Sequence, residues 1–377
     1  MKMFHEWSPR ERFRCGNVIS GASAGDRANM SDEDPMEKID IVLPWVDGAD
    51  PRWREEKNRY AAAEGEPGVA ADADTCGDCR YRDFGLLRYW FRSVERFAPW
   101  ADRIFFVTCG QKPEWLDESD PRLRLVDHRD YIPAEYLPTF HSDTIELNLF
   151  RIPDLAERFV LFNDDVFLLR PVPPEFFFRK GLPVLPCEFG VPFWLGCNNI
   201  SRIALNNTGV LKSSMAIDRQ VRKHWRKFFG VGALGFRRAM KNLAAYAVNH
   251  TVFLGSFGHL AQPHLKSTFA EIWRRHPELM DRVSRRRFRS DDGVNHWLAC
   301  GWNMLEGRFS PMREERRGVN LNLEARSLAL TCETIDRQRA PQVCINDTND
   351  CETPAEFYGE VARSLERLLP ERSSFEK

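Results

Sequence analysis

The chain has 377 residues, 43% of them hydrophobic, which is enough for one large α/β domain or two modest ones. Its charged residues, 29% of the total, nearly cancel to a formal net charge of −1, so no field of one sign directs the chain to nucleic acid or to an acidic partner. Eleven Trp and 27 Phe exclude wholesale disorder, and no apolar run approaches the roughly 20 residues that span a bilayer.

Residues 1–37 read as a polar tail without periodicity. Their start has no apolar run of signal-peptide length, so a cytoplasmic chain is expected, with peripheral attachment to a membrane complex left open. Lys38 to Val46 is a β-branched run ending in Asp47-Gly48-Ala49-Asp50-Pro51, a buried strand feeding a polar turn. Residues 61–79 are small and polar and read as a loop. From Arg82 to Phe97 the apolar positions Phe84, Leu87, Phe91, Val94 and Phe97 have helical spacing, and Pro99 ends the run. Arg103 to Thr108 and Arg122 to Val126 read as a second and third strand. Ser142 to Arg151 reads as a short helix with Ser142 or Asp143 near its N-cap. Arg158 to Phe162 is a fourth strand, apolar enough to be central and covered on both faces, and it runs straight into Asn163-Asp164-Asp165.

Beyond it, residues 171–200 are rich in Pro and Phe and read as irregular, and residues 216–249 as helices carrying many Arg and Lys. Ser267 to Arg275 is helical after Pro263-His264, and Pro354 to Leu369 is an amphipathic closing helix. Strands alternating with helices imply an α/β fold with a mostly parallel, Rossmann-like sheet, whose functional groups collect at the carboxyl ends of the strands. The expected organisation is a tail over 1–37, an α/β half over 38–172, and a mainly helical half over 173–377 that completes the same site. Of ten cysteines, Cys76 and Cys79 form a lone CxxC without two further ligands nearby, and Cys344 and Cys351 flank a polar loop. Free thiols are expected for both pairs.

Asn163-Asp164-Asp165 is the sharpest chemical feature. Two adjacent carboxylates at the end of a buried strand are costly unless they pair or bind a cation, and a hard divalent cation with oxygen ligands commonly bridges a diphosphate. An ordinary turn is the alternative. Trp45, Asp47 and Gly48 form a second candidate: Trp45 offers a stacking face, and Gly48 permits close backbone approach to a ligand, unless the segment is a plain strand-to-turn corner. Leu137 to Glu146 is a third, gathering Thr139, His141, Asp143 and Glu146. A helix puts Asp143 and Glu146 on one face, for proton transfer or metal binding, although a capping box accounts for the same pattern. His264 is a lone histidine ahead of a helix. Arg289, in a basic run, reads as a phosphate clamp or a solvated face, and Asp291 and Asp292 as helix caps.

Together these segments resemble the Stealth family of capsular polysaccharide phosphotransferases, which is itself similar to the catalytic region of the lysosomal-enzyme N-acetylglucosamine-1-phosphotransferase. The resemblance rests on Ile39 to Pro51, on Arg80 to Val172, on Gln262 to Ser267 with Phe288 to Asp292, and on Cys344 to Asp347 with Ser373 to Glu376. Pro44 departs from the usual Thr, and His141-Ser142-Asp143 departs where the family varies. The resemblance implies transfer of a sugar 1-phosphate from a nucleoside diphosphate sugar, of UDP-N-acetylhexosamine type, to a glycan hydroxyl. It implies Glu146, Asp165, His264 and Arg289 as catalytic residues. A divalent cation, Mg²⁺ or alternatively Mn²⁺, is expected on Asp164, Asp165 and Asp347. Trp45, Asp47, Gly48, Arg82, Thr139, His141 and Asn346 are expected to bind substrate. Two alternatives stay open: a metal-dependent glycosyltransferase using the same donor class, and a non-enzymatic carbohydrate-binding subunit of a capsule-assembly complex.

Overall fold

The computed structural model describes residues 38–64, 81, 85–189, 199–249, 257–347 and 355–377. Arg82, Phe84, Cys76, Cys79 and Cys351 lie outside them.

Eleven strands occur among these residues: β1 (Ile39–Pro44), β2 (Ile104–Thr108), β3 (Leu123–Asp127), β4 (Arg158–Leu161), β5 (Val166–Leu168), β6 (Phe178–Arg179), β7 (Leu182–Pro186), β8 (Gln262–Leu265), β9 (Ser310–Met312), β10 (Val319–Asn322) and β11 (Gln342–Asn346). The largest sheet has the order β3-β2-β1-β4-β8. Its first four strands are parallel, and β8 runs antiparallel to β4. β1, β2 and β4 are buried almost end to end, as a parallel sheet covered on both faces requires. The helix Leu87–Phe97 covers one face with Leu87, Trp90, Phe91, Val94 and Phe97. Phe91 packs edge-on to Phe106 at 5.7 Å and against Phe375, from the end of the chain, at 5.4 Å.

Two small sheets position the rest. In β10-β11-β5, β11 runs antiparallel to β5, with Cys344 opposite Val166. The other has the order β6-β7-β9. The second half of the chain is therefore not only helical, since β6 to β11 all belong to it and β8 completes the main sheet. Residues 38–377 form one compact unit. Among the described residues no helix is long and apolar enough to cross a membrane.

Several expectations are corrected. Pro51–Glu64 is a helix, so residues 61–64 are its last turn rather than loop. Pro51 suits a first helical turn because it lacks only an N–H that would go unpaired there, and the Asp50 carboxylate accepts from the Arg52 amide at 2.9 Å. The helix after His141 is shorter than expected, Ser142–Leu147, followed by a 3-10 turn over Leu149–Arg151. It has no side-chain cap, because the carboxylates of Asp143 and Glu146 are engaged by histidines instead. Asp291 and Asp292 cap nothing, since the next helix, Trp297–Leu305, starts five residues after Asp292. Cys344 is a free, buried thiol.

Candidate active site

The carboxyl ends of β1 and β4 open onto a cavity of about 570 Å³, a size typical of small-ligand sites. Residues from distant segments share its wall: Trp45 after β1, Asn163 to Asp165 after β4, Asn346 and Asp347 after β11, and Arg289 with Asn295 to Trp297 from the second half. Ser142, Asp143 and Glu146 complete it, at positions i, i+1 and i+4 of one short helix.

That helix is fastened to the segment carrying Arg289. Thr144 Oγ1 lies 3.3 Å from the Arg286 carbonyl, and Asn148 Nδ2 donates to Ser284 Oγ at 3.2 Å. Phe140 and Phe288 stack at 5.3 Å, and the Phe140 amide donates to the Arg287 carbonyl at 2.9 Å. This double anchor brings Arg289 beside the helix, where its Nη2 donates to Ser142 Oγ at 3.0 Å.

Two carboxylate–imidazole pairs occupy this wall. His141 Nε2 lies 3.1 Å from Asp143 Oδ2, and His141 Nδ1 lies 3.3 Å from Thr144 Oγ1. Burial works to raise the pKa of Asp143, but the adjacent His141, Arg289 and His296 outweigh it and hold the group below the usual carboxylate range. The second pair is Glu146 Oε2 with His296 Nδ1 at 2.5 Å. His296 Nε2 makes no hydrogen bond among the described residues, and the ring lines the cavity.

Asp165 lines the same cavity from the end of β4. Its Oδ2 accepts from the Cys344 thiol at 3.3 Å, its main-chain oxygen accepts from the Ile345 amide at 2.9 Å, and its Oδ1 is shut from solvent without a partner. Burial raises its carboxyl to about 6, against the lowering effect of the Cys344 hydrogen bond. The β5–β11 pairing is what sets Asn346 and Asp347 beside it. Among the described residues, six carboxylate side chains line the cavity (Asp143, Glu146, Asp164, Asp165, Glu324 and Asp347) together with one guanidinium, that of Arg289. An anionic ligand would be repelled there without a cation. The oxygen donors around Asp165 fit a hard divalent ion chemically, and the orphaned Oδ1 supplies a ligand atom. No three His, Cys, Asp or Glu side chains among the described residues are already grouped as a metal cage. Mg²⁺ commonly takes one or two carboxylates and completes its shell with water and substrate phosphates.

The remaining expected residues fall elsewhere. His264 is wholly buried in the sheet, on β8 opposite Phe159, and does not line the cavity. Its ring lies 5.4 Å from that of His296, its Nε2 has no partner, and burial with the nearby His296 and Arg317 keeps it neutral. His141 and Thr139 are buried behind the lining, with the His141 amide donating to Thr139 Oγ1 at 3.2 Å. Asp47 forms a turn tied to Gln111 at 2.8 and 3.0 Å, outside the cavity. The close approach permitted by Gly48 is to the Tyr81 backbone, where a Cβ would come within 2.1 Å of the carbonyl oxygen. Arg82 lies outside the described residues.

Sequence reasoning missed His296, Asn295 and Trp297. Their signal was weak: a histidine seven residues past Arg289, at the start of the apolar helix Trp297–Leu305.

Comparison with known proteins places these features in context. Residues 37–65 match Stealth protein conserved region 1 and residues 80–184 match conserved region 2. The capsular polysaccharide phosphotransferase WcwK of Streptococcus pneumoniae is 40% identical, over 91% of this chain and 100% of that protein. The receptor polysaccharide phosphotransferase WefC of Streptococcus oralis is 32% identical over 90% and 100%. The exopolysaccharide phosphotransferase cps2G of Lactiplantibacillus plantarum is 30% identical over 90% and 96%.

Proposed function

The chain belongs to the Stealth family of polysaccharide phosphotransferases, and from that premise we propose that it moves a sugar 1-phosphate from a nucleoside diphosphate sugar to a hydroxyl of a glycan acceptor. The family is enzymatic and its members transfer a phosphosugar in polysaccharide synthesis. The donor class, the residue roles and the cation are our reading. The observation that carries it is the cavity lining itself: a carboxylate-backed imidazole, the Arg289 guanidinium and the oxygen-rich, cation-ready group around Asp165 share one cavity.

In this reading Glu146 accepts the Nδ1–H of His296, which leaves the Nε2 lone pair facing the cavity. His296 Nε2 takes the proton from the acceptor hydroxyl. The acceptor oxygen then bonds to the phosphorus that carries the sugar, the bond to the bridging oxygen breaks, and a nucleoside monophosphate leaves. Arg289 stabilises the charge on the phosphoryl oxygens, and Ser142 and Asp143 hold its guanidinium in place. Trp45, stacked on Phe106 at 5.5 Å, offers a rigid face for the base or a sugar ring. Asn346 supplies an amide to the same pocket.

Asp165, with Asp164 and Asp347 near it, would hold Mg²⁺, or Mn²⁺ on the same oxygen set. When bound there the ion neutralises the diphosphate and supports the leaving phosphate. His264 is assigned a supporting part behind His296, against whose ring its own packs edge-on at 5.4 Å. A donor of UDP-N-acetylhexosamine type and attachment at the inner face of the membrane complete the proposal.

The test is direct. The protein is incubated with a panel of nucleotide sugars, a glycan acceptor and Mg²⁺, and the released nucleotide is identified. A nucleoside monophosphate together with a phosphodiester product is expected. A nucleoside diphosphate would mean attack at the sugar carbon and would overturn the reading in favour of glycosyl transfer.

A further inference from the structure

Residues 199–249 carry ten Lys and Arg against one acid, Asp218, in a chain whose formal net charge is −1. The surplus is concentrated in one helical segment, and the cavity chemistry above uses none of these cations. Seven of the ten are exposed: Lys212, Arg219, Arg222, Lys223, Arg226, Arg237 and Lys241.

The same segment exposes large apolar side chains. On the helix Phe236–Asn249, Phe236 is 67% exposed, Met240 39% and Leu243 45%. With Ala247, also exposed, they stand at i, i+4, i+7 and i+11, one continuous stripe. The helix cannot roll to bury it, because its opposite side is pinned. Asn242 is fully buried; its Nδ2 donates to the carbonyls of Cys187 and Phe228 at 3.1 and 3.0 Å, and its Oδ1 accepts from the Phe189 amide at 3.1 Å. Arg237 and Lys241 follow the stripe along one flank, and Trp225, 53% exposed, lies on the helix Trp225–Phe229, which joins this one through Phe229 and Tyr246 at 5.7 Å.

We propose that this basic, apolar-striped helical face docks on an anionic lipid surface, with Phe236, Met240 and Leu243 entering the headgroup boundary and the cations meeting lipid phosphates. A pinned helix with an exposed Phe/Met/Leu stripe and flanking cations has the pattern of an interfacial helix. A polyanionic glycan would be met by the cations alone and would leave the aliphatic stripe in water. A second copy of the chain would set basic face against basic face. The anionic bilayer matches both the charge and the apolarity.

The binding measurement uses the full chain without donor or acceptor, so it is independent of the assigned reaction. Sedimentation is measured with vesicles of phosphatidylcholine alone and with vesicles containing phosphatidylglycerol. Binding at least tenfold tighter to the anionic vesicles is expected. The combined Phe236→Ser, Met240→Ser and Leu243→Ser variant loses that binding by tenfold or more, while its melting temperature and its activity on soluble substrates stay unchanged. Arg226→Glu with Arg237→Glu weakens binding and flattens its salt dependence. The proposal is overturned if the unaltered chain ignores anionic vesicles or if the triple variant binds as tightly. It is equally overturned if the triple variant only converts a dimer to a monomer, or if a soluble acidic polysaccharide binds the face and vesicles do not.

Discussion

The Glu146 carboxylate and the His296 imidazole meet at 2.5 Å although 150 positions separate them in the chain. The pair closes the wall between the short helix after β3 and the segment that carries Arg289. It also orients a ring that lines the cavity.

If His296 is the proton acceptor, His296→Asn lowers kcat by roughly 10²–10⁴ with a small change in KM. Glu146→Gln gives a smaller loss and shifts the limb of the pH–rate profile that reports the imidazole. His264→Asn serves as the comparison. Should His296→Asn keep kcat within threefold while His264→Asn abolishes turnover, the proton acceptor is the buried histidine instead.

Asp165→Asn removes the negative charge and one oxygen of the carboxylate whose Oδ1 is orphaned. Activity is expected to fall by about 10³ or more, and the rise in melting temperature that the proposed Mg²⁺ site predicts for the unaltered chain should be lost. Stability without metal is unchanged or higher. The buried carboxyl has a folded value of about 6 against an ordinary 3.8, so its ionised form opposes folding above that pH. A variant that still responds to Mg²⁺ in a thermal melt would remove Asp165 from the cation site.

Arg289→Lys keeps the charge and loses the planar fork. The expected result is a donor KM raised about tenfold together with a lower kcat, and added Mg²⁺ does not restore either. Unchanged kinetics would release Arg289 from the phosphate.

Stability also depends on pH through a buried imidazole remote from the cavity. Burial pushes His128 down to about 4 from 6.5. Between these values the unfolded chain binds the proton and the folded chain does not, so stability is fully present above pH 6.5 and declines as pH falls toward 4. The decline amounts to about 3 kcal/mol for this group. Denaturant titrations at pH 7 and pH 4.5 should show it, and His128→Phe should reduce the difference. Equal slopes for the two proteins would contradict the assignment.

Arg92 is 6% exposed and clamps the chain end. It donates to both oxygens of Glu376 at 2.7 and 2.9 Å, to Glu366 at 2.9 Å and to the Leu369 carbonyl at 2.9 Å. Arg92→Met strands the nearly buried Glu376 and should cost about 3–5 kcal/mol. Pairing it with Glu376→Gln should recover part of the loss in a double-mutant cycle; no coupling would mean that the clamp is inert.

Much of this architecture was legible in local patterns. Arg158 to Leu161 had to be a central strand because Phe159, Val160 and Leu161 are apolar on both faces. The acids following it were suspect for the same reason. The helix Pro51–Glu64 was missed because it is polar nearly all round, with only Trp53 and Lys57 buried and so no apolar stripe to read, even though Asp50 and Pro51 form a serviceable helix start. Glu146 looked like a capping residue, since a capping box and a carboxylate lining a cavity have the same spacing. Only its partner distinguishes them, and that partner is His296.

The amino-acid sequence by itself determined the parallel core, the strand ends that face the cavity and the family to which the chain belongs, because periodicity, burial and motif spacing are local properties. Tertiary structure alone decided which histidine reaches the cavity. His264 and His296 are neighbours in space at 5.4 Å, yet one is held inside β8 by its register with Phe159 and the other stands at the mouth of a helix. Side-chain direction on a strand follows from pairing register, and pairing between β4 and β8 joins segments about a hundred residues apart. No local pattern encodes that choice.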